Sequence, residues 1–171
     1  MNPDEHPELD AFLAALSPGD LLPGTVAAIE RFGVFVRLDD GPRHPIFPGT
    51  GFVSIPELSW RHISAASDAV QVGERVTGKF LHYATWNMEA RLSLRATQPD
   101  PFQAFADEVT PGRELRGRVT KQAPFGVFVE VADGVEGLVP QPGLGRAGDD
   151  VTVVVTGIDR ERRRVDLSGR G

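Results

Sequence analysis

The stretch "PFGVFVEV", residues 124–131, places Phe125 directly before a glycine and then alternates valine with other residues. Side chains of a β-strand point alternately to the two faces of a sheet, so the three valines are predicted to share one face. Phe128 then falls on the opposite face, and a bulge at the glycine would turn Phe125 to that side as well. The stretch predicts a strand with an apolar inner face and an aromatic pair outside.

A second stretch, "RFGVFVRL" at residues 31–38, nearly repeats the first. The Phe and Gly positions match at an offset of 93, which later shrinks to 86 and then to 75. Similarity at a fixed spacing indicates a duplicated unit. The shrinking offset indicates that the second copy has shorter loops with the same strands.

The composition limits the classes of protein that the chain can represent. It has no cysteine, which excludes disulfides and thiolate metal sites. No apolar run reaches membrane-spanning length, and the first ten residues are acidic where a secretory signal would be basic. A soluble, cytoplasmic protein with no membrane partner is expected.

The net charge of −6 argues at first against a nucleic-acid partner. Its distribution weakens that objection, because five acidic residues and no Lys or Arg lie within residues 1–20. Three more acidic residues lie between the copies, which leaves each repeat body near +1. This pattern favours weak or selective binding over tight, charge-driven binding.

Each copy opens with a short helical pattern that ends at a Pro-Gly pair. In the second copy Asp100 is a candidate N-cap, with Pro101 at the first helical position. In the first copy the apolar residues are spaced as on one helical face: Leu9, Phe12, Leu13 and Leu16.

Short alternating runs follow each helix and are separated by Gly, Pro and Asp clusters. In the first copy they predict strands near residues 25–29, 34–38, 51–55, 75–83 and 90–95. The predicted fold class is mainly all-β, with two tandem five-stranded Greek-key barrels of the oligonucleotide/oligosaccharide-binding (OB) fold and short linking helices. The expected domains are an acidic helical segment at 1–17, a first barrel at 18–97, a helical linker at 98–110 and a second barrel with shortened loops at 111–171.

Several motifs together carry a family resemblance. "GTVAAIERFGVFVRL", "GFVSIPELSW" and "ARLSL" in the first copy resemble one S-one RNA-binding domain, named for ribosomal small-subunit protein one. "GRVTKQAPFGVFVEVADGVEGLV" and "IDRERRRVDLS" in the second copy resemble another. The resemblance covers about residues 18–169 and implies a barrel that binds single-stranded RNA without a cofactor.

The resemblance also implies which residues contact RNA. A histidine that the family carries just after the third strand is absent, with Ser54 and Pro140 in its place. The aromatics that match the family are Phe32 and Phe35 in the first copy and Phe125 and Phe128 in the second. The alternative interpretation is that these four rings only pack within the barrel or against a neighbouring domain.

At the last hairpin Asp159 and Arg164 match the polar pair of the family, whereas the first copy has Ala84 and Glu89. The RNA-binding surface of the first copy is therefore interpreted as having lost part of the family's polar residues. The second copy is expected to bind RNA more strongly. Further cationic candidates, which a solvated surface would also explain, are Arg37, Arg118, Lys121, Arg160, Arg162 and Arg163. Trp86, at a predicted hairpin tip, fits either a stacking residue or a lid on the barrel.

Catalytic and metal-binding motifs are missing from the sequence. The four histidines have no ligand-like spacing, and neither a phosphate-binding glycine motif nor a nucleophile with a base is present. We therefore expect no enzyme activity, metal, cofactor or small-molecule substrate.

The sequence thus predicts a non-enzymatic protein that binds single-stranded RNA and is associated with mRNA or the ribosome. The alternative is a degenerate module that docks a protein of the translation or RNA-degradation machinery. An accessory domain pair from a nuclease or helicase is a weaker third interpretation, since no catalytic segment is attached.

Overall fold

The computed structural model describes residues 1–170 of the chain. Gly171, the last residue of the predicted second barrel, lies outside the described residues. The chain divides into two compact units, Met1–Pro99 and Asp100–Gly171. Each unit contains one helix and one five-stranded sheet.

The first unit begins with a 3-10 turn and helix α1, and its sheet closes into a barrel with the strand order β1-β2-β3-β5-β4. Neighbouring strands are antiparallel except β3 and β5, which are parallel. The elements are α1 (Pro7–Ala14), β1 (Leu21–Glu30), β2 (Gly33–Leu38), β3 (Gly51–Ser54), β4 (Arg75–Ala84) and β5 (Glu89–Ser93). Short 3-10 turns occupy Pro3–Glu5, Ile55–Glu57, Ala66–Asp68 and Arg95–Thr97.

The second unit repeats this plan, and its barrel closes in the order β6-β7-β8-β10-β9. Its elements are α2 (Pro101–Glu108), β6 (Glu114–Ala123), β7 (Gly126–Ala132), β8 (Val135–Val139), β9 (Asp150–Asp159) and β10 (Arg164–Gly169). Two tandem OB-type barrels, as predicted from the repeats and strand runs, are confirmed.

Alternation along the second strand of each barrel separates core from surface. Val34 and Val36 of β2 are fully buried in the first core, and Val127 and Val129 of β7 are fully buried in the second. These are the valines whose spacing predicted an inner face. Their burial stabilises each barrel by roughly 1.5–3 kcal/mol per side chain.

Each helix packs its apolar face onto the barrel of its own unit. Leu9 and Leu13 of α1 are buried in the first core, and Phe102 and Phe105 of α2 are buried in the second. The predicted N-cap of α2 is confirmed, because the Asp100 carboxylate accepts a hydrogen bond of 2.9 Å from the Phe102 backbone N–H.

The bulge expected beside Phe32 and Phe125 is not where the sequence placed it. Glu30 pairs directly with Gly33, so Arg31 and Phe32 form a two-residue turn. Pro124 and Phe125 form the same turn in the second barrel. The register shifts lie instead on the first strands, between Val26 and Ala28 and between Val119 and Lys121. The turn, not a bulge, presents the two rings.

An exposed ion pair joins β2 and β4 at the end of the first barrel away from this turn. The Arg75 guanidinium donates hydrogen bonds of 2.6 and 2.5 Å to the two carboxylate oxygens of Asp39. These bonds hold the pKa of Asp39 below its usual range and raise the pKa of Arg75. Both side chains are well exposed, so solvent screens the pair.

The close approach of Gly33 to β3 gives a test of the first barrel. A Cβ on this residue would lie 2.4 Å from both the Phe52 ring and the Val53 carbonyl oxygen. Gly33→Ala is therefore expected to lower the free energy of unfolding by about 1–3 kcal/mol, through overpacking. Urea unfolding followed by tryptophan fluorescence measures this, because both tryptophans, Trp60 and Trp86, lie in the first unit.

Gly157→Ala in β9 is the control, followed by circular dichroism. Its added Cβ would meet only the Asp166 side chain, at 3.3 Å. We expect a change within about 1 kcal/mol, which includes the stabilisation that alanine gains over glycine in the unfolded state. Equal effects of the two substitutions would contradict the packing argument.

Candidate nucleic-acid interface

The outer face of each barrel carries a pair of phenylalanine rings in the same arrangement. Phe32 and Phe35 meet edge to face, with ring centroids 6.2 Å apart and an interplanar angle of 87°. Phe125 and Phe128 meet at 6.1 Å and 89°. The duplication therefore preserves both residue type and ring geometry.

The two rings of each pair differ in exposure. Phe32 and Phe125, on the two-residue turns, are 61% and 59% exposed. Phe35 lies on the outer side of β2, as its spacing predicted, but it is only 5% exposed. Phe128 is partly buried. The expectation that Phe35 presents an open ring is therefore wrong, because other aromatic rings cover it.

Two further phenylalanines cover Phe35. Phe47, from the loop between β2 and β3, stacks on it at a centroid distance of 5.4 Å and an angle of 18°. Phe52 of β3, its cross-strand neighbour, contacts it at 5.3 Å and also stacks with Phe32 at 5.8 Å. Together with Trp86, which is 69% exposed, these four phenylalanines line a cleft of about 350 Å³, called here the aromatic cleft.

Polar side chains form another part of the wall of the aromatic cleft. Glu89 is 3% exposed and its carboxylate pairs with Arg91 at 2.9 Å. The Arg91 guanidinium lies over the Phe52 ring, 4.7 Å from its centroid. Ser54 and Asn87 also line the cleft. Aromatic faces beside hydrogen-bonding groups are the combination that holds a flat heterocycle.

His44 fixes the loop that carries Phe47. Its Nδ1 accepts hydrogen bonds from the backbone N–H groups of Ile46 and Phe47, at 3.1 and 3.0 Å. Since Nδ1 accepts, Nε2 carries the proton and donates to the Asn87 carbonyl, at 2.9 Å. The ring also packs against Phe47 at 4.8 Å. This buried histidine joins the loop to the β4–β5 hairpin.

The corresponding cleft of the second barrel, called here the charged cleft, is also about 350 Å³ but has fewer rings. Leu138 occupies the cross-strand position next to Phe128 that Phe52 occupies next to Phe35. Lys121 pairs with Phe128 on the other side and is exposed. Glu136, Arg163, Arg164 and Asp166 also line this cleft.

The four arginines of the last hairpin differ in whether they bond to α2 and its N-cap. Arg160 pairs with Asp107 at 2.8 Å and donates to Gln103 at 3.2 Å. Arg163 donates to Asp100, which also caps α2. Within residues 1–170, Arg162 and Arg164 form no hydrogen bond or ion pair with α2, and both side chains are exposed. Half of the predicted cluster is therefore engaged with the helix.

The remaining predicted site residues lie on the surface around the clefts. Asp159 accepts a hydrogen bond from the Arg162 backbone N–H at 3.1 Å. Arg118 lies 4.0 Å from Asp150. Arg37, two residues beyond Phe35 on the same side of β2, is exposed.

Sequence reasoning left out several cleft residues. Phe52 was detectable in principle, because pairing β2 with β3 places it opposite Phe35. Phe47 lies in a proline-rich loop with no periodicity. Asn87 and Arg91 follow no motif of their own, and their place becomes visible only when β5 pairs with β3.

The described part of the chain contains neither a metal-binding group nor a membrane-spanning helix. Within residues 1–170, no three His, Asp or Glu side chains are grouped so that they could hold a metal ion. None of the helices described is long and apolar enough to cross a membrane.

Comparison with known proteins places both barrels in one family. The sequence model described as S1 RNA binding domain matches residues 16–95 and 108–170. A relative named small ribosomal subunit protein bS1, from Mycolicibacterium smegmatis, is 40% identical over 168 residues, covering 92% of this chain and 33% of the relative. Its namesake from Staphylococcus saprophyticus is 33% identical, covering 93% and 41%.

The chain thus spans about a third to two fifths of the length of these relatives. Among solved structures, that of GSP13 from Bacillus subtilis aligns with a TM-score of 0.40 and 24% identity, covering 56% of this chain and 73% of that one. The two matched ranges contain every strand of both barrels. The chain therefore belongs to the S1 RNA binding domain family and carries two copies of the domain.

Proposed function

We propose that this chain binds single-stranded RNA on the outer faces of its two barrels and acts on mRNA or at the ribosome. The observation that carries the proposal is the exposed ring of Phe32 and of Phe125, each held edge to face against a second phenylalanine. The family membership and the ribosomal names of the relatives support the partner class.

The chemistry of the turn supports stacking. Each exposed phenylalanine presents one broad apolar face beside a cleft, and every nucleobase has a face of its own to place there. Such stacking contributes about 1–3 kcal/mol per base and tolerates sequence variation. No bond is made or broken, so the function requires binding groups alone.

We propose that both barrels bind RNA through base stacking and phosphate contact, but in different proportions. The aromatic cleft has five aromatic side chains, and its single cation, Arg91, is paired with Glu89. Phe128 and Arg164 line the charged cleft, Phe125 packs against Phe128, and Lys121 pairs with Phe128 from the neighbouring strand. Neither Lys121 nor Arg164 forms an ion pair within residues 1–170. Stacking dominates the first site and phosphate contact the second.

This balance modifies the expectation that the second copy binds more strongly. In the sequence, Glu89 in place of an arginine predicted weaker RNA binding by the first copy. In the structure, Phe47, Phe52 and Trp86 add aromatic surface there. We propose that both barrels contribute, and that their relative affinity depends on the salt concentration.

Phe32→Ala and Phe125→Ala test the stacking platform directly. Each substitution removes an exposed ring, so it is expected to cost about 1–3 kcal/mol in RNA binding with little loss of stability. Fluorescence anisotropy with a short labelled single-stranded RNA measures the affinity, and circular dichroism checks the fold.

Leu21→Ala is the matched control, since Leu21 is 60% exposed but lies at the end of β1 opposite the Phe32 turn. It is expected to leave affinity unchanged. Folded Phe32→Ala and Phe125→Ala proteins that bind like wild type would exclude stacking. If the wild-type chain binds no RNA at low salt, the protein-docking alternative becomes the better hypothesis.

The salt dependence of binding tests the proposed role of charge in the second barrel. Lys121→Gln and Arg164→Gln should each reduce the slope of log affinity against log salt concentration by about 0.7, the value for one phosphate contact on a single strand. Arg113→Gln is the control, because Arg113 lies just before β6, at the end away from the Phe125 turn. An unchanged slope in both test variants would show that these cations do not contact phosphate.

A further inference from the structure

One buried polar atom of a residue that lines the aromatic cleft has no hydrogen-bond partner within residues 1–170. Asn87 is 4% exposed, and its Oδ1 accepts no hydrogen bond from any residue of the described range 1–170. Buried polar atoms in folded proteins nearly always have a partner, so such an atom calls for a specific explanation. Asn87 lines the aromatic cleft beside Trp86 and Glu89, which suggests that the partner is a ligand in that cleft.

The neighbouring carboxylate adds to the same hydrogen-bonding character. Glu89 is 3% exposed and its Oε1 lies 2.9 Å from the Arg91 guanidinium. An ionised carboxylate has about four lone-pair sites and no donor, so one guanidinium does not saturate it. The polar wall of the cleft therefore offers acceptors from both Asn87 and Glu89.

We infer that the aromatic cleft is a base-selective subsite that prefers a nucleobase with an exocyclic amine over uracil. This inference rests on the proposed RNA-binding function. The flat base lies among the phenylalanine rings, and its amine donates to Asn87 Oδ1 or to the Glu89 carboxylate. Cytosine and uracil differ at two adjacent positions: C4 carries an amine in cytosine and a carbonyl oxygen in uracil, and N3 is an acceptor in cytosine and an N–H donor in uracil.

The loss of affinity for uracil follows from the acceptor oxygens of Asn87 and Glu89. In the pose that presents C4 to the polar wall, a uracil carbonyl puts acceptor against acceptor, and the single N3–H of uracil is flanked by two carbonyl oxygens, whereas the cytosine amine offers two donors. Sites with buried hydrogen-bonding groups reject analogues that leave those groups unpaired much more strongly than apolar pockets do. Selectivity thus arises from the polar wall, while the rings supply affinity for any base.

The second barrel serves as an internal comparison. At the sequence offset that aligns the last hairpins, Arg162 replaces Asn87 and Arg164 replaces Glu89. Two donors stand where the first barrel has acceptors. At these two positions the second barrel lacks the acceptors of the first, and the carboxylates that line its charged cleft, Glu136 and Asp166, come from other positions.

The direct test compares labelled hexacytidylate and hexauridylate, two pyrimidine strands of equal length and charge. Binding is measured by anisotropy at pH 7.5, with the full chain carrying Phe125→Ala so that the first barrel dominates. We expect tighter binding of hexacytidylate by about tenfold. Equal affinity, or tighter binding of hexauridylate, would overturn the inference, whereas failure of both strands to bind would count against the proposed function itself.

Two variants assign the preference to the polar wall. Asn87→Ala is compatible with the backbone, because Asn87 has no positive φ and accepts from His44 through its main-chain carbonyl. Glu89→Gln keeps the size of the side chain and removes its charge. The cytidine preference should fall severalfold in at least one of the two, with hexauridylate binding retained. A full preference in both folded variants would overturn the assignment, and the wild-type ratio still decides the inference if a variant does not fold.

Discussion

The absence of a side chain at Gly33 and Gly126 is the constraint on which both proposed binding surfaces depend. A Cβ would lie 2.4 Å from the Val53 carbonyl oxygen at Gly33 and 2.2 Å from the Val139 carbonyl oxygen at Gly126. Glycine thus lets the second strand start against the third. The residue before each glycine is then held at the tip of a two-residue turn, and in both barrels that residue is phenylalanine.

From this point the two copies diverge through their loops and last hairpins. The longer β2–β3 loop of the first barrel brings Phe47 over Phe35, and His44 holds that loop against the β4–β5 hairpin. The second barrel has a short β7–β8 connection and no ring at this position, so Phe128 is covered less and basic side chains lie nearby. The same turn therefore lies beside an aromatic surface in the first barrel and beside a charged surface in the second.

The sequence predicted what local pattern controls. Valine alternation gave the inner faces of β2 and β7, and the Asp100-Pro101 pair gave the start of α2. It did not predict what depends on strand pairing or on irregular loops. The covering of Phe35 needs Phe47, whose loop has no periodicity, and the pairing of Arg160 with Asp107 needs the docked position of α2. Exposure of a candidate residue is set by such contacts, which sequence spacing does not specify.

The most direct test of the proposed stacking platform is an aromatic ¹H–¹³C NMR titration of the full chain with a short single-stranded RNA. The chain has ten phenylalanines, and single Phe→Leu substitutions assign their ring signals. The signals of Phe32 and Phe125 are expected to shift first and most, with smaller shifts at Phe35 and Phe128. The signals of Phe102 and Phe105, the buried phenylalanines of α2, should not move. RNA binding that leaves the signals of Phe32 and Phe125 unchanged would show that these turns do not form the RNA platform.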